Sequence, residues 1–545
     1  MPSFHYTKEG RSQYLLLPTM PTPNGGLHLG HISGPYLKTD VMARAHRRNG
    51  STASVMCGSD VYESYTTLKA WQTATDVEEI CNHYHTQIRK DLEALKIHCD
   101  AYINPLDKEH REPFHAFMRN TIEKCIRSGA TVIRPEKYLY APDQNNYLTG
   151  CWITGICPVC GSGTGSYQCE ECGTHYRPMD IIEPRFKKGT DHQLEQIQDN
   201  ALYLQMRQPD RLREHLDAMG LRKEFREIVN TYLEKQGPQI RLTNPDSRGT
   251  SIELPGSNIP QVVFTYTALY FFGVYLGHIY QQQQGTRYHA FHPLSEVTTI
   301  ASFGIDCSIP YMVGGIAGGL ETGIGKPTDY FLPNHFFQLE GAKFSTSRGH
   351  AIWGHDIVHK TPATADAVRY FLILQNPERS KRDFRVDAFI SFVNEELVNG
   401  LQITLQRLWN MLPEQPMSGP SEQLTTLLDQ LLHQQLQYLT PPGFDLLAST
   451  KPLQEWIQLT EKNEMDASSV YWWLKGFALL AWPIIPDCSV AVWQKLGCTG
   501  NLSEKSFFDE TTVQLNYSMP EFFKPVSWGS IRPALPATLT KPVIN

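Results

Sequence analysis

No stretch of this 545-residue sequence reaches the ~20 consecutive apolar residues that cross a bilayer. The nearest, Val470 to Ile485, contains Lys475 and Pro483 and is followed by Pro486, which reads as a buried helix. Met1 to Gln13 is polar and lacks the apolar centre of a secretory signal, so the expectation is a cytoplasmic protein without membrane contact. Positive charge is not in excess. The 49 Lys+Arg stand against 56 Asp+Glu, net −7, which excludes a globally basic coat for nucleic acid and leaves only local basic faces. Repeats and low-complexity tracts are missing: 39 Gly and 36 Pro are scattered without a short period, so the chain is not collagen-like. Apolar material is abundant at 41%, with 24 Phe, 25 Tyr and 10 Trp, and the length suits three or four domains of about 150 residues. In a reducing compartment the 12 Cys read as thiols or metal ligands rather than disulfides.

Tyr14-Leu15-Leu16-Leu17 is a short apolar run closed by Pro18 and followed by the turn-rich segment Thr19 to Gly26. A helix over Leu27 to Asn49 and a strand over Ala53 to Cys57 come next. Strand, Gly-rich loop, helix, strand opens a parallel α/β unit, and the right-handed crossover makes the two strands neighbours. Helical periodicity covers Asp76 to Lys96 and His110 to Ser128. From Cys151 to Cys172 the sequence turns Gly- and Cys-rich without periodicity, the mark of an insertion. Apolar, aromatic sequence resumes at Val262-Val263-Phe264, and Gly304-Ile305-Asp306 follows another turn region. Phe389, Val393, Leu397, Leu401, Leu405 and Trp409 recur every four residues as the stripe of an amphipathic helix. Further helices from Glu422 to about Leu496 complete a bundle, and the tail after Tyr517 is Pro-rich and expected to run extended.

The expected fold is therefore α/β: a Rossmann-type parallel-sheet domain split by a Cys-rich insertion, then an all-α bundle. In residue numbers the halves are 1–125 and 246–330 around an insertion at 126–245. A linking region at 331–385, the bundle at 386–510 and the tail at 511–545 follow.

Three short motifs carry chemistry. Cys157-Pro-Val-Cys160 and, eight residues on, Cys169-Glu-Glu-Cys172 are two CxxC pairs that can set four thiolates tetrahedrally around zinc. Four sulfur ligands leave no open position, so such a metal is structural; unrelated buried thiols or redox pairs are the alternatives. His28-Leu29-Gly30-His31 sits at the loop-to-helix junction, where backbone N–H groups point toward a bound phosphate and Gly30 lets a ligand approach closely. Taken alone, it is equally a pair of polar helix-start histidines. Lys343-Phe344-Ser345-Thr346-Ser347-Arg348-Gly349 suits a polyphosphate that gains charge in a transition state, or a solvated basic turn.

In this order and at these separations the motifs resemble the class I aminoacyl-tRNA synthetases, and within them the methionyl-tRNA synthetases. His28 to His31 matches the HIGH signature and Lys343 to Ser347 the KMSKS loop, and the Cys pairs fall in the insertion where that family carries a knuckle. Asp366 to Phe371 and the helix Asn394 to Arg407 resemble the approach to its anticodon-binding domain; the likeness runs from Pro18 to about Pro486. The resemblance implies a ligase that forms an aminoacyl-adenylate from ATP, with Mg2+, and passes the acyl group to tRNA. Methionine is the first choice of amino acid, with one structural zinc per chain and a monomer or homodimer. It implies that His28, His31 and Lys343 act on the transition state, and that Gly30, Gly304, Asp306, Ser345 and Ser347 contact ATP. Met20, Thr22, Asp60, Thr265, Ala268 and Tyr311 would surround the amino acid, with Asp60 on its α-amino group, and Arg407 would touch tRNA. Read singly, Asp60 is as well explained as a cap on the following helix.

The departures cluster around the substrates. Thr346 stands where the family has its second signature Lys, and Val61-Tyr62 where Glu-His usually follows the Asp. Thr22, Thr265 and Tyr311 replace Tyr, Trp and His of the methionine pocket, and Ile403 replaces the base-reading Asn. Three hydroxyls in a closed pocket need partners, which counts against a thioether and leaves open a paralogue with another amino acid or acceptor. A non-catalytic relative that binds tRNA or protein is the second class of reading. The retained His28, Gly30, His31, Asp60, Asp306 and Lys343 favour the enzyme.

Overall fold

Residue-by-residue alternation in the Leu15-Leu16-Leu17 run feeds two different cores. The computed structural model describes residues 12–539 apart from 166, 170, 190, 347, 413, 415, 417, 463, 464 and 515–518. Its central sheet is built of β1 (Gln13–Pro18), β2 (Thr52–Gly58), β3 (Ala101–Ile103), β4 (Thr298–Gly304) and β5 (Tyr330–Asn334). All pairings are parallel and the spatial order is β5-β4-β1-β2-β3. Leu15 and Leu17 join Met56, Ala301 and Phe303 on one face, while Leu16 joins Val55, Ile300 and Leu332 on the other. A strand buried on both faces explains the unbroken apolar run. Chain order reverses between β1 and β4, so the ligand crevice opens at the C-terminal ends of those two strands. Asp306 lies just past the end of β4, and the Thr19–Leu27 loop carries the chain from the end of β1 to His28.

The helix expected over 27–49 is broken. His28 caps a short turn at Leu29–His31, wide turns cover Ile32–Tyr36, and regular helix α1 runs only from Leu37 to Arg48. The cause is Pro35, which has no N–H to donate; Gly34 absorbs the distortion at φ −86, ψ −109.

The connection from β3 to β4 holds the insertion. A helix, Arg111–Arg127, leads into two long antiparallel strands, Thr131–Ala141 and Glu195–Gln205, paired from Thr131–Leu204 to Tyr140–Glu195. The Cys-rich segment sits between them as a small three-stranded sheet, and the buried helix Leu269–Gln284 returns the chain to β4.

Beyond β5 the chain is mainly helical, with long segments at Val386–Trp409, Glu422–Tyr438, Lys451–Lys462, Ala467–Ala481 and Pro486–Lys495. Trp456 and Trp473 each donate an indole N–H to the other's carbonyl at 3.0 Å, and Gly476 leaves the space that Trp456 fills. Two buried arginines fasten the bundle to the sheet layer. Arg48 meets Glu504 at 3.0 Å, and Arg369 meets Asp40 at 2.8 Å while donating to the carbonyls of Pro483, Ile484 and Leu95. Among the described residues no helix is long and apolar enough to cross a membrane; Val470 to Ile485 is bundle core. The tail is clamped rather than loose. Asn394 exchanges two hydrogen bonds with the Val526 backbone, Phe523 and Val526 are buried, and Trp528–Ile531 forms a helical turn.

Candidate active site

His28 holds its position through its own cap: its Nδ1 accepts the His31 backbone N–H at 3.2 Å. That bond leaves the ring proton on Nε2. The two imidazoles stack with centroids 3.6 Å apart and planes 12° from parallel. Burial first, then the neighbouring His31, holds His28 well below the usual imidazole range, and burial and Lys343 bring His31 down to about 4. His31 is exposed on the crevice side. Both rings are neutral at pH 7.

The Lys343 loop closes over them. Phe344 is buried and stacks on the His28 ring at 4.9 Å, and a Cβ built on Gly30 would lie 2.9 Å from the Phe344 ring. On Gly25 a Cβ would come within 2.5 Å of Thr346. Glycine is required at both positions for the loop to descend this far. Ser345 and His350 bridge the loop's neck, Lys343 reaches over the Phe336 ring at 5.1 Å, and Arg348 is exposed. Ser347 lies outside the described residues. Downstream, His28 pairs with Trp353 in strand fashion, with Leu29 N–H to Ile352 and Gly354 N–H to Leu27 both at 2.9 Å. The buried Asp91 carboxylate accepts from Leu27 N–H at 2.8 Å and His355 N–H at 2.9 Å, binding both motifs to one helix.

Met20, Asp60, Thr265 and Ala268 come together around one narrow cavity of about 10 Å³, with Tyr62, Phe114, Met118 and Phe272 as further walls. Asp60 does not cap the next helix; Glu63 does, accepting from Ser64 N–H. Burial, reinforced by Glu63, pushes the Asp60 carboxyl up to about 7 despite a hydrogen bond from Thr265. The Tyr311 hydroxyl is bonded to Thr19 and its ring stacks on Phe303 at 4.5 Å. Tyr311 and Thr22 do not line this cavity. Two of the three hydroxyls expected to lack partners therefore have them, which removes most of the physical case against an apolar substrate side chain.

Gly304 and Asp306 sit at the end of β4, where the Asp306 carboxylate folds back over Gly304; a Cβ there would be 2.6 Å from its oxygen. In the insertion, Cys157, Cys160, Cys169 and Cys172 bring four sulfurs within 4.8 Å of one another. The Cys157–Cys172 and Cys160–Cys169 separations are 4.0 and 3.5 Å. A tetrahedron with Zn–S near 2.3 Å has edges of ~3.8 Å, so the sulfurs fit zinc. Each CxxC is followed by a left-handed glycine, Gly161 at φ 74 and Gly173 at φ 70. Those turns aim Gly161 N–H at Cys157 O and Gly173 N–H at Cys169 O. No disulfide joins any described cysteine, Cys57 and Cys307 included.

In the bundle, Ile403 is 56% exposed and Arg407 donates to Thr460 O at 3.3 Å. The sequence reading missed Phe344, Trp353, Asp91 and the aromatic walls of the cavity. Asp91 carried a usable signal, an acid on the buried stripe that also holds Ile88 and Leu92.

Residues 14–409 match the family model described as tRNA synthetases class I (M). The methionine–tRNA ligase of Chlamydia abortus is 28% identical over 403 residues, covering 71% of this chain and 69% of its own. That of Chlorobaculum tepidum is 26% identical over 534 residues, 90% of this chain and 74% of its own. The fold matches the Mycobacterium tuberculosis methionyl-tRNA synthetase crystallised with methionyl-adenylate. The TM-score is 0.70 at 15% identity, over 94% of this chain and 100% of that one.

Proposed function

This chain belongs to the class I tRNA synthetases of the M group, and from that premise we propose which of its residues carry an aminoacyl-tRNA ligase reaction. The enzyme joins an amino acid to ATP as an aminoacyl-adenylate, releasing pyrophosphate, and transfers the acyl group to tRNA. The observation that carries the assignment is the descent of the Lys343–Thr346 loop onto His28 and Gly30 at the sheet's switch point.

ATP binds in that crevice with its phosphates between the helix-start motif and the loop. The substrate carboxylate attacks the α-phosphorus, and negative charge builds on the phosphate oxygens. His28 and His31 donate Nε2–H hydrogen bonds to those oxygens as neutral rings, and Lys343 faces the departing pyrophosphate with its charge. Ser345 steadies the loop against ATP, Asp306 holds the ribose, and Mg2+ accompanies the nucleotide. Thr346 supplies a hydroxyl where a second cation would sit, so the loop stabilises the leaving group with one fixed charge and the nearby Arg348. Zinc on the four cysteines supplies folding free energy to the insertion and takes no part in the bond changes.

Asp60 binds the substrate ammonium, and the side chain enters among Tyr62, Phe114, Met118 and Phe272. The four move apart to admit it, because the space they enclose holds no more than about one water. These walls suit a flexible thioether, which packs well on ring edges. Methionine is the expected amino acid. Pyrophosphate exchange measured with each standard amino acid tests this: methionine gives the highest kcat/KM by a clear margin, and a better value for any other substrate overturns it.

The Asp60 carboxyl gives a pH signature. With a value near 7 in the free enzyme, about a tenth is ionised at pH 6 and about nine-tenths at pH 8. Only the ionised form attracts an ammonium, so the KM for the amino acid falls about tenfold from pH 6 to pH 8 and then levels. For folding the sign is opposite: the native state holds a proton that the unfolded chain releases above pH ~4, so this group costs stability as pH rises toward 7. A KM flat across that range removes Asp60 from the ammonium site.

A further inference from the structure

The insertion touches the nucleotide crevice through a short path that starts on the knuckle. Gly173, one residue after Cys172, lies against the 304–306 loop: a Cβ there would be 3.1 Å from Ile305 O and 3.0 Å from Ile228. Two residues further, His175 is buried with its ring stacked on Tyr266 at 5.1 Å, planes 9° apart. Its Nε2 is 2.7 Å from the Tyr266 hydroxyl, which donates to Asp306 O at 2.6 Å. Because the hydroxyl spends its proton on Asp306, the His175 ring must donate from Nε2. Burial keeps that ring neutral, down at about 3, so the path is made of hydrogen bonds rather than charge.

The loop it reaches is short. Gly304–Asp306 has no strand partner beyond Asn334, and the Asp306 side chain is folded over Gly304. Its backbone direction, and with it the carboxylate's aim, depends on what holds the Asp306 carbonyl. From outside the loop the Tyr266 hydroxyl holds that carbonyl, and His175 also bonds to the Asp306 backbone.

We propose that His175 and Tyr266 are positioning residues that orient the Gly304–Asp306 loop toward the ATP ribose from the knuckle side, a role the helix-start and Lys343 motifs do not fill. This rests on the reading of Asp306 as the ribose contact. The two residues touch neither ATP nor the reacting atoms, so their loss weakens nucleotide binding and leaves the chemical step near its normal rate.

The test is kinetic, on the full zinc-loaded chain. Tyr266→Phe removes the hydroxyl and keeps the ring, His175→Ala removes the donor, and His175→Gln restores a donor at similar reach. Tyr266→Phe and His175→Ala raise the KM for ATP in pyrophosphate exchange about tenfold, with kcat within twofold and the amino-acid KM unchanged. Zinc stays at one per chain and the melting temperature holds, while His175→Gln recovers most of the ATP affinity. An unchanged KM for ATP in both variants overturns the proposal. So does a parallel fall in kcat, zinc content and stability, which marks a purely structural pair. If the wild-type chain exchanges no pyrophosphate with any amino acid, the enzymatic reading fails. Calorimetric ATP binding then decides the positioning role: tenfold weaker binding in Tyr266→Phe upholds it and equal binding removes it.

Discussion

Replacing His31 by alanine lowers amino-acid-dependent pyrophosphate exchange by about 10²–10³, with the loss in kcat and the KM for ATP nearly unchanged. Its ring is exposed on the crevice side and stacks on the His28 ring, so its loss disturbs the fold little. His28→Ala gives a similar loss of rate and a different stability. That ring also accepts the His31 N–H and packs on Phe344, and loss of a cap alone costs about 0.5–2 kcal/mol. The two variants together separate catalysis from packing. Measured exchange that survives both substitutions removes the phosphate role from this motif. Exchange that survives His31→Ala alone moves the role to His28.

Stripping the metal is expected to have the second large effect. Structural zinc in small domains contributes on the order of 10–16 kcal/mol of binding free energy, more than a small knuckle gains from its own core. Chelation, or Cys169→Ser, takes zinc from one per chain to none and opens residues 150–186 to protease, while the parallel sheet and bundle keep their melting transition. Exchange activity falls with it, because Gly173 and His175 rest on the Ile305 and Tyr266 side of the crevice. A full-length chain that lacks zinc yet shows the wild-type protease pattern sinks the assignment of Cys157, Cys160, Cys169 and Cys172 as ligands.

The parts of the fold legible in the sequence are those set by local pattern. The Leu15-Leu16-Leu17 run closed by Pro18 reads as a strand, though its burial on both faces came only with the fold, and the four-residue stripe from Phe389 to Trp409 reads as a helix with one buried side. The paired CxxC spacing drew the metal cluster directly. The sequence was silent where one side chain acts across a long chain separation. Nothing local shows that Asp91 gathers Leu27 and His355, or that Thr265 answers Asp60. The broken helix at Ile32–Tyr36 was visible in Pro35 but outweighed by the strong apolar periodicity around it. The cavity walls Tyr62, Phe114 and Phe272 come from three distant elements, and only the fold assembles them. Their apolar character matters for specificity more than the single substitution at Thr265.

The fixed far end of the Lys343 loop decides which part of the loop can move. Trp353 is laddered to His28 and His355 is held by Asp91, so the loop is anchored on the far side of the neck that Ser345 and His350 bridge. Phe344 sits at the base of that neck, 4% exposed between His28 and Phe337. Lifting it into water costs about 1.5–3 kcal/mol. Any opening of the loop has to carry this ring out from between His28 and Phe337, so the packed arrangement is favoured by a factor of roughly ten to a hundred.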